Sequence, residues 1–271
     1  MDFNRKVAQL KLQQGRPIMA LVTGASSGMG LMYAQVLAKA GCDLLIVSNQ
    51  EKEIVETASR LSADFGVKVL PLYQDLALDN AAQSLFDYCA CNGLIIDILI
   101  NNAGMFFFHE LDKAHDQKME TMLSLHVMTL TRLCRLFGDE MKNRRFGYIL
   151  NISSMAARIP FPGITLYSAT KAYIRNFTVA LHFEMKYYNV GATVVCPAAI
   201  ATPLYNLNPR LMKIGLATGI IHSPQWLVKK ALKAMFKKRK LRQPSFQNIY
   251  GPAFVKIIPY SLKSIIWKKL R

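Results

Sequence analysis

The chain has 271 residues, 52% of them apolar, with 15 glycines and 11 prolines, which suits one globular α/β domain over 1–271 and excludes a disordered or fibrous protein. Its five cysteines are odd in number and scattered, so neither a disulfide framework nor a metal site is expected, and a reducing, cytoplasmic setting is. The net charge of +17 is confined to one part: from Met185 to Arg271 there is no Asp or Glu against sixteen Lys and Arg, so the preceding residues are nearly neutral.

The first residues, MDFNRKVAQLKLQQGR, lack the apolar run of a signal peptide, and no stretch approaches the roughly eighteen apolar residues that span a bilayer. Pro17 to Val22 reads as a strand buried on both faces and leads into Thr23-Gly-Ala-Ser-Ser-Gly-Met-Gly30, after which LMYAQVLAKAG has helical spacing. Strand, glycine turn and helix together let the backbone approach a pyrophosphate, with the helix N-terminus offering unpaired N–H groups.

A second apolar run, Leu44 to Val47, ends in Ser48-Asn49-Gln50. In dinucleotide folds an acid at this tip accepts the ribose 2′-hydroxyl of NAD, whereas small polar or basic groups tolerate a 2′-phosphate. No acid stands there, so NADP(H) is favoured over NAD(H), with Ser48, Asn49 and Lys52 expected near the phosphate.

Lys68 to Tyr73 and Leu94 to Ile100 are further strands, followed by Asp75-Leu76 and by Asn101-Asn-Ala-Gly104. Helices are expected near 51–65, 79–92 and 114–143. The alternation predicts a Rossmann-like, doubly wound parallel sheet with helices on both faces and ligands at the carboxyl ends of the strands. Gly147 to Ile152 is a fifth strand and Ala192 to Cys196 a sixth, with a helix between them from Tyr167 to about Tyr188.

Tyr167 and Lys171 stand one helical turn apart, on one face. A free phenol has a pKa of about 10, and an adjacent ammonium favours the phenolate. Such a tyrosine exchanges protons with a carbonyl or an alcohol near neutral pH. Ser154, about a dozen residues upstream, is placed to hydrogen-bond the same substrate oxygen. The same pattern also describes a half-buried Tyr beside a solvated Lys.

Taken in order, Thr23 through Gly30, Asp75-Leu76, Asn101 through Gly104, Ser154, Tyr167-x-x-x-Lys171 and Pro197 through Thr202 resemble the short-chain dehydrogenase/reductase family over about 16–235. The resemblance implies a coenzyme turn at Gly24, Gly28 and Gly30, flanked by Ser26, Ser27 and Met29. It implies Asp75 and Leu76 near the adenine, and Asn101, Asn102, Ala103 and Gly104 on the coenzyme side of the sheet. Ser154 would orient a carbonyl, Tyr167 would protonate it, and Lys171 would hold the nicotinamide ribose and tune Tyr167. Pro197, Ile200 and Thr202 would flank the nicotinamide. The sequence departs from the family at His126, where Asn is usual. His126 is read either as a buried histidine bonded to backbone or as a titrating member of the proton relay. Ala198 replaces the usual Gly after Pro197. Homodimers or homotetramers through the helices near 114–143 and 167–188 are implied by the resemblance alone.

Ala198 to His222 is long, apolar and free of acids. By the resemblance it is a lid over a lipophilic substrate, a 3-oxoacyl thioester or long-chain ketone before a steroid, with Phe106, Phe107 and Phe108 expected along the same pocket; ordinary subunit packing is the other reading. Ser223-Pro224 opens a helix through Arg242. A C-terminal extension over about 236–271 adds basic amphipathic character, with Phe254, Ile258, Leu262, Ile265 and Ile266 at helical spacing among lysines. An anionic membrane surface at the cytoplasmic face is its expected partner, with subunit docking as the competing reading and nucleic acid disfavoured. A membrane-peripheral coenzyme-binding scaffold or sensor with weak or no catalysis is the alternative to an enzyme.

Overall fold

A computed structural model of the chain describes residues 1–112, 115–201, 213, 218, 221–245, 250 and 259. Thr202, most of the expected lid, and nearly all of the basic extension from Phe254 onward lie outside the described residues.

Seven strands, β1 (Met19–Thr23), β2 (Asp43–Ser48), β3 (Val69–Tyr73), β4 (Ile96–Asn101), β5 (Gly147–Ile152), β6 (Val190–Val195) and β7 (Leu241–Arg242), form one sheet in the order β3-β2-β1-β4-β5-β6-β7. Every pairing is parallel. Each residue of β1, β4, β5 and β6 is buried, as apolar strands of a parallel sheet covered on both faces must be.

Helices α1 (Phe3–Gln14), α2 (Gly28–Lys39), α3 (Glu51–Phe65) and α8 (Pro224–Phe236) cover one face, through residues such as Val7, Leu37, Ile54 and Leu232. The other face packs against α4 (Ala81–Cys91), α6 (Leu130–Asn143) and α7 (Thr165–Lys186), through Leu85, Phe137 and Ile174. In α3 the buried set is Ile54, Thr57, Ala58 and Leu61, the i, i+3, i+4, i+7 stripe of a helix lying on a sheet.

Three features differ from the sequence expectation. The core begins before residue 16: α1 is capped by Asp2, whose Oδ1 accepts the Asn4 and Arg5 N–H groups, and it buries Val7 and Leu10. The helix expected over 114–143 is divided into α5 (Asp116–Leu123) and α6 by a π-helical segment, Ser124–Thr129. The helix expected to run through Arg242 stops at Phe236. Lys238 then adopts φ +49°, and Leu241 and Arg242 pair with Val194 and Val195 as the edge strand. Among the described residues no helix is long and apolar enough to cross a membrane.

Candidate active site

The strand order reverses between β1 and β4, so the connections leave to opposite sides and a crevice opens at the carboxyl ends of these strands. The glycine turn after β1 forms one wall. Gly24 has φ +65° and Gly28 φ +56°, the left-handed region that glycine enters freely. A Cβ on Gly30 would lie 2.0 Å from the Gly24 carbonyl oxygen, and one on Gly24 2.9 Å from Ala103 Cα. Gly30 therefore does not line the crevice; it lets the turn fold onto itself. Ser27 caps α2 without a side-chain hydrogen bond, which leaves the first amides of the helix for an anion.

Thr23 ties this turn to the one after β4. Its Oγ1 accepts the N–H groups of Asn102 and Ala103, each at 3.0 Å, and Asn102 Nδ2 donates to the carbonyls of Thr23 and Gly24. Asn102 Oδ1 is buried without a partner. The neighbouring Asn101 points elsewhere: it donates to Asn151 Oδ1 at 2.8 Å and to Cys134 Sγ within the core. Asn102 rather than Asn101 thus lines the crevice, the two side chains at the end of β4 facing opposite ways.

The crevice holds a cavity of about 550 Å³. Gly24, Ser26, Ser27, Gly28 and Met29 line it from the glycine turn, Asp75 and Leu76 from the loop after β3, and Asn102, Ala103 and Gly104 from the loop after β4. At the β2 tip, Ser48, Asn49 and Gln50 complete it. There Ser26 Oγ lies 2.9 Å from Ser48 Oγ and donates to Gln50 Oε1 at 2.8 Å, while Gln50 N–H donates to Ser48 Oγ. Asp75 is the one carboxylate on this lining, and its Oδ1 accepts the Ala77 N–H. Lys52 is not on it.

A smaller cavity of about 40 Å³ shares Met29, Asn102, Gly104 and Met105 with the first, and adds Ser153, Tyr167, Lys171, Pro197 and Ile200. Both Tyr167 and Lys171 are buried on α7. The Lys171 ammonium donates to the Ile152 carbonyl at 3.2 Å and stands 5.5 Å from the Tyr167 ring centroid. Phe106 meets the same ring edge-on at 4.9 Å. Phe107 stacks on His115. Ser154 follows β5, and its Oγ accepts the Ala156 N–H at 3.1 Å, which leaves the hydroxyl hydrogen to donate to an oxygen. The site thus combines a glycine turn with unpaired helix amides and a phenol beside an ammonium, while Ser154 lies one residue beyond Ser153 of the cavity lining.

The profile of the family described as short chain dehydrogenase matches residues 18–210. The chain belongs to the short-chain dehydrogenase family. It is accordingly an oxidoreductase acting between an alcohol and a carbonyl. It is 31% identical to the very-long-chain 3-oxoacyl-CoA reductase of Rattus norvegicus over 221 residues, covering 80% of this chain and 68% of that one. It is 29% identical to the 17-beta-hydroxysteroid dehydrogenase type 3 of Danio rerio over 190 residues, 68% of this chain and 61% of that one. Among solved structures, a short-chain dehydrogenase from Sphingobium yanoikuyae in complex with NADPH superposes with a TM-score of 0.76 and 26% identity, over 90% of this chain and 97% of that one.

In this short-chain dehydrogenase the departure at His126 has a defined environment. His126 lies in the π-helical segment and is 1% exposed. Its Nε2 accepts the Met105 N–H at 3.1 Å, so the proton resides on Nδ1, which donates to Thr170 Oγ1 at 3.0 Å. Thr170 in turn donates to the Tyr167 carbonyl. Burial first, and the Lys171 charge second, hold the imidazole pKa well below its ordinary value. Both ring nitrogens are engaged and the ring is neutral at pH 7, which favours the backbone-bonded arrangement over a titrating relay. A Cβ on Gly104 would lie 2.8 Å from Nε2, so the close approach of this loop to His126 requires glycine.

Sequence reasoning did not single out Met105, Ser153 or Thr170, nor give Gln50 a role. Each directly adjoins a motif residue, Met105, Ser153 and Gln50 near a strand end and Thr170 on α7, and that adjacency was the available signal. The residues fit a dinucleotide: the glycines let the turn pack close against the loop after β4, Asn102 offers an orphaned buried oxygen, and the β2 tip presents hydroxyl and amide groups.

Proposed function

We propose that the chain reduces the carbonyl of a lipophilic substrate with NADPH as donor, a 3-oxoacyl thioester or long-chain ketone before a steroid. The observation that carries this reading is that Tyr167 and Lys171 line a cavity that shares Met29, Asn102, Gly104 and Met105 with the crevice at the glycine turn. When bound, the nicotinamide supplies the hydride. Ser154 donates to the substrate oxygen, and Tyr167 delivers the proton to it as an alcohol forms. Lys171 brings a positive charge to the phenol, which favours its ionised form. Phe106 gives the substrate side an apolar wall. The preference for a 3-oxoacyl chain over a steroid follows the names of the rat and zebrafish relatives.

The NADP(H) preference is read from the β2 tip, where Ser26, Ser48 and Gln50 form a network with no carboxylate to repel a 2′-phosphate. We expect NADPH to bind at least about tenfold more tightly than NADH, a difference of about 1.4 kcal/mol. Fluorescence titration with both coenzymes, followed by turnover on 3-oxoacyl-CoA, long-chain ketones and ketosteroids, tests both parts. Equal affinity would remove the coenzyme preference, and turnover restricted to short polar ketones would remove the lipophilic substrate.

A further inference from the structure

The C-terminal half of α8 and the edge strand β7 enclose a second concavity, of about 350 Å³, that shares no residue with the coenzyme crevice. Its lining is Lys230, Lys233, Ala234, Lys237, Arg239 and Arg242: five cations, one alanine and no acid. Lys230, Lys233 and Lys237 fall at i, i+3 and i+7, one face of the helix. Among the described residues none of the five has a carboxylate partner, whereas three cations on or just after α6, Arg135, Lys142 and Arg144, do. Lys230 instead lies over the Trp226 ring at 4.2 Å and reaches the Pro244 carbonyl.

Like charges so placed repel. Lysines in a last helical turn complement the helix dipole, and charge on an edge strand discourages pairing with another sheet. Each of those accounts for one or two of these residues, not for five from two elements around one hollow. A concavity of a single sign focuses its field on an anion. The chain then continues beyond Ser245 with Lys256, Lys263, Lys268, Lys269 and Arg271 interleaved with Phe, Ile, Leu and Trp, and again no acid. Apolar residues alternating with cations suit headgroups above an acyl layer rather than a nucleic-acid backbone.

We infer that the α8–β7 concavity is a folded binding site for the phosphate-bearing headgroups of an anionic bilayer. It would seat the domain on the membrane through the edge of its sheet, independently of the coenzyme and of the reaction.

The test is sedimentation of the full chain with phosphatidylcholine vesicles with and without phosphatidylserine, for the wild type and for a Lys233→Gln, Lys237→Gln, Arg239→Gln variant. All three side chains are exposed, and binding of reduced coenzyme by the variant reports that the domain is intact. The wild type should bind only the anionic vesicles. The variant should bind them about 100-fold more weakly, as expected for three surface cations each attracting anionic lipid. A charge-conserving Lys233→Arg, Lys237→Arg, Arg239→Lys variant should bind as the wild type does. Unchanged binding by the first variant would overturn the inference, as would equal binding to neutral vesicles. Two further results would overturn it: a groove that takes inorganic phosphate while the chain ignores vesicles, and loss of duplex oligonucleotide binding in the variant with vesicle binding intact.

Discussion

Lys171 shows how the site trades stability for chemistry. Burial lowers its pKa to about 8, against about 10.4 for the free side chain. The unfolded chain therefore binds this proton more tightly than the folded one, and folding stability from this group rises with pH between about 8 and 10.5. Below pH 8 the buried ammonium costs up to about 3 kcal/mol, and loss of its bond to the Ile152 carbonyl would return about 1 kcal/mol of that. Lys171→Met should thus raise the melting temperature at pH 7 by about 4 °C. The gain should fade by pH 10, while turnover is lost at both. Calorimetry of the coenzyme-free protein at the two pH values checks this, and a lower melting temperature at pH 7 would show that the Ile152 bond outweighs the burial of charge.

His126 has the same pH sense in a lower window. Its folded pKa is depressed, so as pH falls below about 6.5 the unfolded chain takes up a proton that the folded chain refuses, and stability declines. His126→Asn should flatten urea-denaturation stability between pH 6.5 and 5 and keep turnover within about tenfold, because an amide can still accept the Met105 N–H and donate to Thr170. His126→Leu should cost about 1–3 kcal/mol by leaving both unsatisfied. A His126→Asn profile as steep as that of the wild type would place the acid sensitivity elsewhere.

At the scale of elements, the sheet is clamped at the end opposite the site. Arg16 donates both guanidinium nitrogens to the fully buried Asp97 at 2.7 and 2.8 Å, and Asp97 also accepts the Met19 N–H. The pair joins the starts of β1 and β4. Arg16→Ala leaves a buried carboxylate unpaired and should cost about 3–5 kcal/mol with KM unchanged, read by denaturation and steady-state kinetics together. A raised KM would mean that the clamp also shapes the crevice. The strands, the glycine turn and the Tyr167–Lys171 pair were legible in the sequence because buried parallel strands are continuous apolar runs and the motifs sit at their ends. Helix α1 was not, since only Val7 and Leu10 of its twelve residues are buried. The π-helical segment leaves apolar spacing on either side nearly intact, so the sequence reads as one helix. β7 has two residues, too few to show a period. The Arg16–Asp97 pair bridges 81 positions, which no local pattern records.

Across the whole molecule, the two proposed sites occupy different regions. The crevice at the switch point of the sheet carries the glycine turn and adjoins the cavity lined by Tyr167 and Lys171, whereas the basic concavity lies at the opposite edge of the sheet, beyond β6. Exposed aromatics on and just after α7, among them Phe183 and Tyr187, are where we propose that a second copy docks, and light scattering should return the mass of a dimer or tetramer. The central claim is that Tyr167 is the acid for reduction of a lipophilic carbonyl. It is tested most directly by following NADPH oxidation with a 3-oxoacyl-CoA for the wild type and for Tyr167→Phe. The account predicts that kcat falls by about 10²–10⁴-fold with NADPH affinity unchanged. Full turnover by Tyr167→Phe would contradict it.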